Sequence, residues 1–332
     1  MRQSVLELCD MLISNRDVIS KSFFAEFGIM EVGASMVFSK AGQKADPDRI
    51  NMCKKILSKN ASAFSALRCI GRPLVISKMA VSEDPKKYLE DLKSVYNTLK
   101  KGRGFETDYV VLAAANLCES GRLNEAPFLI DRFNEIEKKM NKNHPILTNG
   151  GDFSIIMMLA LSNKPVDAII DEIEECYRYM RTTGVRVTKD GLHGLSQVLT
   201  LMGGDMKENC EKAVRLYKKF REHSTRYGKD SQFQALGTLV DIDEDADVLV
   251  NEIVETADYL KKYKGFGSMN LDKSNRLMFA TMVVASAYEK EGRVNGSMTI
   301  VDKTVLTNTL TIAISLEIAI YTMIMIAACS SN

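Results

Sequence analysis

Residues 165–202 read PVDAIIDEIEECYRYMRTTGVRVTKDGLHGLSQVLTLM. The first half spaces its apolar residues at helical intervals and keeps a charged face, the pattern of a helix lying on a core with one side in solvent. It closes on Tyr177 and Met180, with Arg181 behind them. A polar loop leads to Asp190, and the run that Asp190 opens, GLHGLSQVL, is nearly continuous in apolar residues, as expected of a buried inner helix. An amphipathic helix, a basic loop and an aspartate before an apolar helix make one helical hairpin.

The hairpin recurs on both sides. Its closing anchors are Tyr96/Leu99/Lys100, Phe133/Ile136, Tyr177/Met180/Arg181, Tyr217/Phe220/Arg221 and Leu260/Tyr263/Lys264, spaced by 37, 44, 40 and 43 residues. The opening aspartates are Asp108, Asp152, Asp190, Asp230 and Asp272, spaced by 44, 38, 40 and 42; the second repeat alone carries an insertion, within NKNHPILTNGG. Two landmarks with one period indicate a repeat architecture. A single hairpin cannot bury its apolar stripe, so stacking is required. The expectation is an all-α fold, an α-solenoid of about five to six hairpins of roughly 40 residues capped at both ends. Residues 1–45 read as N-terminal capping helices, near 4–24 and 29–39, and 46–85 as a degenerate pair near 47–59 and 61–81. The five repeats occupy 86–290, and 291–332 reads as an apolar C-terminal capping helix.

Composition is globular, with 45% apolar and 26% charged residues. Forty-four Lys and Arg against 43 Asp and Glu give +1, without the overall charge of a dedicated nucleic-acid binder. The seven cysteines (9, 53, 69, 118, 176, 210 and 329) form no C-x-x-C pair and read as reduced, mostly buried thiols of a cytosolic protein. The N-terminus lacks the uninterrupted apolar core of a secretion signal.

The stretch ASAFSALRCIGRPLVISKMAVSEDPKKYLEDLKSVYNTLKK (61–101), followed by Asp108-Tyr109 and LAAANL, resembles a bacterial all-helical family of unknown function, nearly end to end. That resemblance implies a cytosolic bacterial protein and brings no catalytic residue with it.

Candidate chemistry is sparse. Each aspartate of the row can cap the helix it opens by accepting from exposed backbone N–H groups; the competing reading is a line of carboxylates along a groove for a cation. His144, His193 and His223 lack metal-ligand spacing, with His144 expected exposed and His193 in a core. Asp241, Asp243, Asp245 and Glu252 stand at positions 1, 3, 5 and 12 of a calcium loop, but Ala246 replaces the glycine that position 6 needs. Repeat register also places Glu252 inside a helix. Gly102, Gly104, Gly265 and Gly267 suit helix ends better than a phosphate cradle, and no cofactor motif occurs.

The loops from anchor to aspartate carry a net +9, and the opposite edge, where first helices begin, is acidic. Lys100, Arg181, Arg186, Lys218, Arg221 and Lys264 form this basic edge, which the helix macrodipole also favours without any partner. Residues 305–329 are long and apolar enough to span a bilayer, yet Glu317 would cost about 2.5 to 3.5 kcal/mol at a span centre. A buried helix with an internal partner for Glu317 is the competing reading, and a homo-oligomer contact through this helix a further one.

The functional expectation is a cytoplasmic, non-catalytic interaction module binding a protein or peptide. The alternatives are RNA or DNA along the basic edge, and an enzyme whose site forms between repeats.

Overall fold

The structure is a computed structural model that describes residues 1–23, 27–62, 65–103, 107–294, 313–315, 317–320 and 322. It is all-helical. The pairs in chain order are α1 (Gln3–Ser22) with α2 (Gly28–Lys40), α3 (Pro47–Asn60) with α4 (Arg72–Val81), and α5 (Pro85–Leu99) with α6 (Thr107–Glu119). Then come α7 (Ala126–Asn143) with α8 (Phe153–Leu161), and α9 (Val166–Thr182) with α10 (Lys189–Met202). α11 (Met206–Glu222) pairs with a 3-10 helix (Ser231–Leu239), and α12 (Ala246–Lys261) with α13 (Lys273–Lys290). The five aspartates stand within two residues of the inner-helix starts, as their spacing predicts.

Two layers follow from the two sequence patterns. α9 buries one stripe, Val166, Ile169, Ile170, Ile173, Cys176, Tyr177 and Met180. Each residue of α8 and every residue of α10 from Gly191 on is buried, so second helices form an inner layer and first helices an outer one. Burying a side chain such as Phe153 or Leu199 stabilises by about 1.5–3 kcal/mol, which is why inner helices tolerate so few polar residues. One helix starts later than expected. The segment read as a helix over 61–81 has a 3-10 turn at Ala66–Arg68, and α4 begins only at Arg72. Pro73 lacks the N–H that a helix arriving from residue 61 needs, but fits a first turn.

The N-terminal pair does not cap a free end. Each hairpin packs on the next, and α1 packs on both α12 and α13, so first and last hairpins meet in a closed circuit. At this seam the Arg2 side chain donates to Glu252 Oε1 and Oε2, both at 3.0 Å, and its guanidinium lies 3.6 Å from the centre of the Tyr288 ring. Tyr259 donates to Asp10 at 2.7 Å. Arg16 is buried against Glu31 and reaches the Lys264 carbonyl. Gly265, at φ +88°, makes room for it: a Cβ there would fall 2.0 Å from Arg16 Cζ.

Among the described C-terminal residues, Ala313, Ile314, Ser315 and Ala319 are buried and Thr322 is exposed. Ser315 is fully buried against Gly33 of α2, where a Cβ would stand 3.1 Å from its Oγ. Two residues on, Glu317 reaches the loop before α8 and the 3-10 helix. The expected capping helix over 291–332 falls, beyond Val294 and apart from these few residues, outside the described residues. No helix among the described residues is long and apolar enough to cross a membrane.

Candidate ligand-binding site at the ring mouth

The starts of α6, α8, α10, the 3-10 helix and α13 meet around one cavity, so these inner-helix N-termini converge on one mouth. Capping there differs from expectation. Asp272 accepts from Asn275 N at 2.9 Å as predicted. Elsewhere neighbours take the role: Thr188 Oγ1 accepts from Gly191 N at 3.1 Å to open α10, and Asn149 accepts from Gly151 N at 2.8 Å while donating its own N–H to Asp152 at 2.9 Å. Asp230 precedes the 3-10 helix with no side-chain cap bond. Asp190 and Asp230 are thereby released from the caps and line a cavity of about 510 Å³.

That cavity is walled by Tyr109 of α6, Asn149, Asp190, Asp230, Gln232 and Glu317. At its edge Asp272 and Asn275 are tied together, and Gln232 donates to Asn275 at 2.8 Å. Ile318 and Ile320 supply an apolar side. Among the described residues, no Lys, Arg or His lines it.

Charge is the site's main property. Burial, and then Asp152, Asp190 and Asp230 in turn, push the Glu317 carboxyl up to about 7, against one favourable hydrogen bond from Ser231. Burial and Asp230 also raise Asp190. Asp108, in the first turn of α6, is raised by burial, and its Oδ1 is enclosed without a hydrogen-bond partner. Gly151 lies against Glu317: a Cβ there would stand 3.5 Å from the carboxyl carbon, an ordinary contact distance. Behind Asp152, buried Gln197 donates to its Oδ1 at 2.6 Å and stands 3.3 Å from His193 Nδ1. Burial, then His144, lower His193 to about 4. Its Nε2 has no hydrogen-bond partner.

Most other sequence candidates lie apart from this site. His144 is half-buried rather than exposed, 2.8 Å from Glu174 and stacked edge-on against His193. The calcium reading is overturned: Glu252 sits within α12 and is held by Arg2, while Asp245 caps that helix by accepting from Asp247 N. No group of three or more potential metal ligands converges among the described residues. The basic edge, Lys100, Arg181, Arg186, Lys218, Arg221 and Lys264, is exposed throughout, and none of the six forms an ion pair with a described residue. Arg181 lies at the end of α9 and Lys218 and Arg221 in the last turns of α11, while Lys100, Arg186 and Lys264 lie in the loops that follow outer helices. Of the tyrosines near this edge whose rings could stack on bases, Tyr177, Tyr217 and Tyr227 are buried and Tyr179, Tyr259 and Tyr263 are half-buried.

The chain matches, over residues 19–319, the model of a family described as "Protein of unknown function (DUF4003)". The chain belongs to this family. No activity comes with DUF4003 membership, and no curated protein and no solved structure matches the chain.

Sequence reasoning missed Glu317, Tyr109, Asn149 and Gln232 as members of one site. The available signal was Glu317 itself, the lone charge within 305–329.

Proposed function

We propose that the protein is a non-catalytic binding module whose ring mouth takes a primary ammonium group on a short apolar stem, as presented by a lysine side chain of a partner or by a free amine. The observation that carries this is Glu317 buried among three aspartates at a cavity with no basic lining residue. Like charges crowded in a low-dielectric site repel, and a cation placed among them relieves that repulsion at several carboxyl groups at once. Tyr109, Ile318 and Ile320 offer apolar surface to the stem. The recurring hairpins and the meeting of the first and last ones support reading the fold as a solenoid closed on itself. Closure moves the binding surface from an open concave groove to the mouth.

Binding a cation there lowers the Glu317 pKa and expels its proton. Starting from about 7, roughly half a proton is released at neutral pH. Calorimetry with pentylamine, in two buffers of different ionisation enthalpy, measures that release. The expected result is binding with proton release, at least tenfold weaker in Asp230→Asn, with pentanol inert. A lysine-containing peptide binding more tightly than pentylamine assigns the amine to a protein partner. Equal binding of pentanol and pentylamine, or no binding of either, would overturn the proposal.

The exposed basic edge favours a second reading, an anionic polymer lying across the six unpaired cations. Arg181→Glu with Arg221→Glu should abolish that binding without lowering thermal stability.

A further inference from the structure

The sulfurs of Cys176 on α9 and Cys210 on α11 lie 2.8 Å apart, between two outer helices that pack side by side. Both thiols are enclosed, at 0% and 1% exposure. At this distance the two thiols share a hydrogen bond in which either sulfur can donate, and a disulfide bond of about 2.05 Å needs only about 0.8 Å of further approach. Among the other described cysteines, Cys9 and Cys53 are buried, Cys118 is half-buried and Cys69 is exposed, and none shows a sulfur–sulfur contact.

We propose that Cys176 and Cys210 are an oxidation site, a dithiol pre-set to close into a disulfide that ties α9 to α11. The two residues are separated by 34 positions, so the bond would link neighbouring hairpins of the ring. The inner helices of these hairpins begin at Asp190 and Asp230, and the cross-link would hold those two sides of the mouth at a fixed spacing.

The oxidant is a small diazene dicarboxamide or a low-molecular-weight disulfide. With the diazene, the thiolate of one cysteine adds to the N=N bond, and the second sulfur attacks the first and displaces the nitrogen. One S–S bond forms, two S–H bonds are lost, and two electrons and two protons pass to the reagent, which leaves as the hydrazine. Burial and the neighbouring Cys210 hold the Cys176 thiol well above its ordinary range. Reaction therefore waits on local opening of the α9–α11 contact and quickens with rising pH.

The test treats the native full-length protein with diamide at pH 8, a few degrees below its Tm. Free thiols are then alkylated under denaturing conditions, and disulfides are mapped by peptide mass spectrometry. The expected product joins the Cys176 and Cys210 peptides, two hydrogens lighter than their sum. Its Tm lies several degrees above that of the reduced protein, and dithiothreitol reverses both changes. Cys210→Ala, in the same treatment, should leave Cys176 alkylated and Tm unmoved. Recovery of both cysteines alkylated after overnight exposure, or a disulfide joining either to a different cysteine, would overturn the proposal.

Discussion

At the seam, Arg2 and Arg16 reach carboxylates across more than two hundred residues of chain or between adjoining helices; at the mouth, Glu317 is buried in the electrostatic field of three aspartates. Both regions bury charge. Their energetics are opposite, because a buried ion pair returns much of its desolvation cost and a buried cluster of like charges adds repulsion to it. The seam therefore holds the ring shut. The mouth is a place where the fold gives up stability, the expected mark of a site kept for something other than folding.

The largest effect that can break this comparison is at the seam. Arg16→Ala leaves Glu31 without its guanidinium and removes the bond to Lys264, and should cost about 3–5 kcal/mol, read from the urea midpoint. Arg16→Met combined with Glu31→Met should restore most of that loss, because apolar side chains of similar volume need no charge partner. A double variant as unstable as the single one would show that the loss does not come from leaving Glu31 buried without its cation.

The mouth should respond in the reverse direction. An acid whose pKa is higher in the fold than in the unfolded chain holds its proton more tightly when folded. Its contribution is thus most favourable below the ordinary value of 4.5 and is lost as pH climbs through about 7. Glu317→Gln should therefore stabilise the protein at pH 8, by on the order of 3 kcal/mol, and change little at pH 4. Thermal melts at the two pH values measure this difference. Equal effects at both would remove the electrostatic cost from the account.

A smaller contrast sharpens the assignment of roles within one helix start. Thr188→Ala should cost about 0.5–2 kcal/mol, because its hydroxyl oxygen caps α10. Asp190→Ala should cost less and gain at pH 8, where the side chain repels Asp230 instead of capping. Denaturation of the two variants side by side at pH 8 decides between them; a larger loss for Asp190→Ala would return this residue to the caps.

These roles show where sequence reading stops. The 40-residue period depends on local spacing, so both layers and each inner-helix start were legible from the anchors and aspartates. A cap depends on which oxygen meets an N–H within one turn, and Thr188 and Asn149, two and three residues upstream of Asp190 and Asp152, take that position. Ring closure needs Arg2 beside Glu252, a contact that no local pattern encodes. Glu317 was legible as a residue needing buried surroundings, but the identity of its neighbours depends on where the C-terminal residues pack. The charge count assigns basic and acidic edges from local sequence, but which of these charges become neighbours depends on how the hairpins pack.

The central claim is that the mouth crowds like charges for a cation to relieve, and the titration of Glu317 tests it most directly. Carbon-13 NMR of its side-chain carboxyl, assigned by difference against Glu317→Gln, follows that group from pH 4 to 9. The account predicts a midpoint near 7 in the free protein and a clear fall when pentylamine is bound. A midpoint at the ordinary 4.5 that pentylamine leaves unmoved would contradict it.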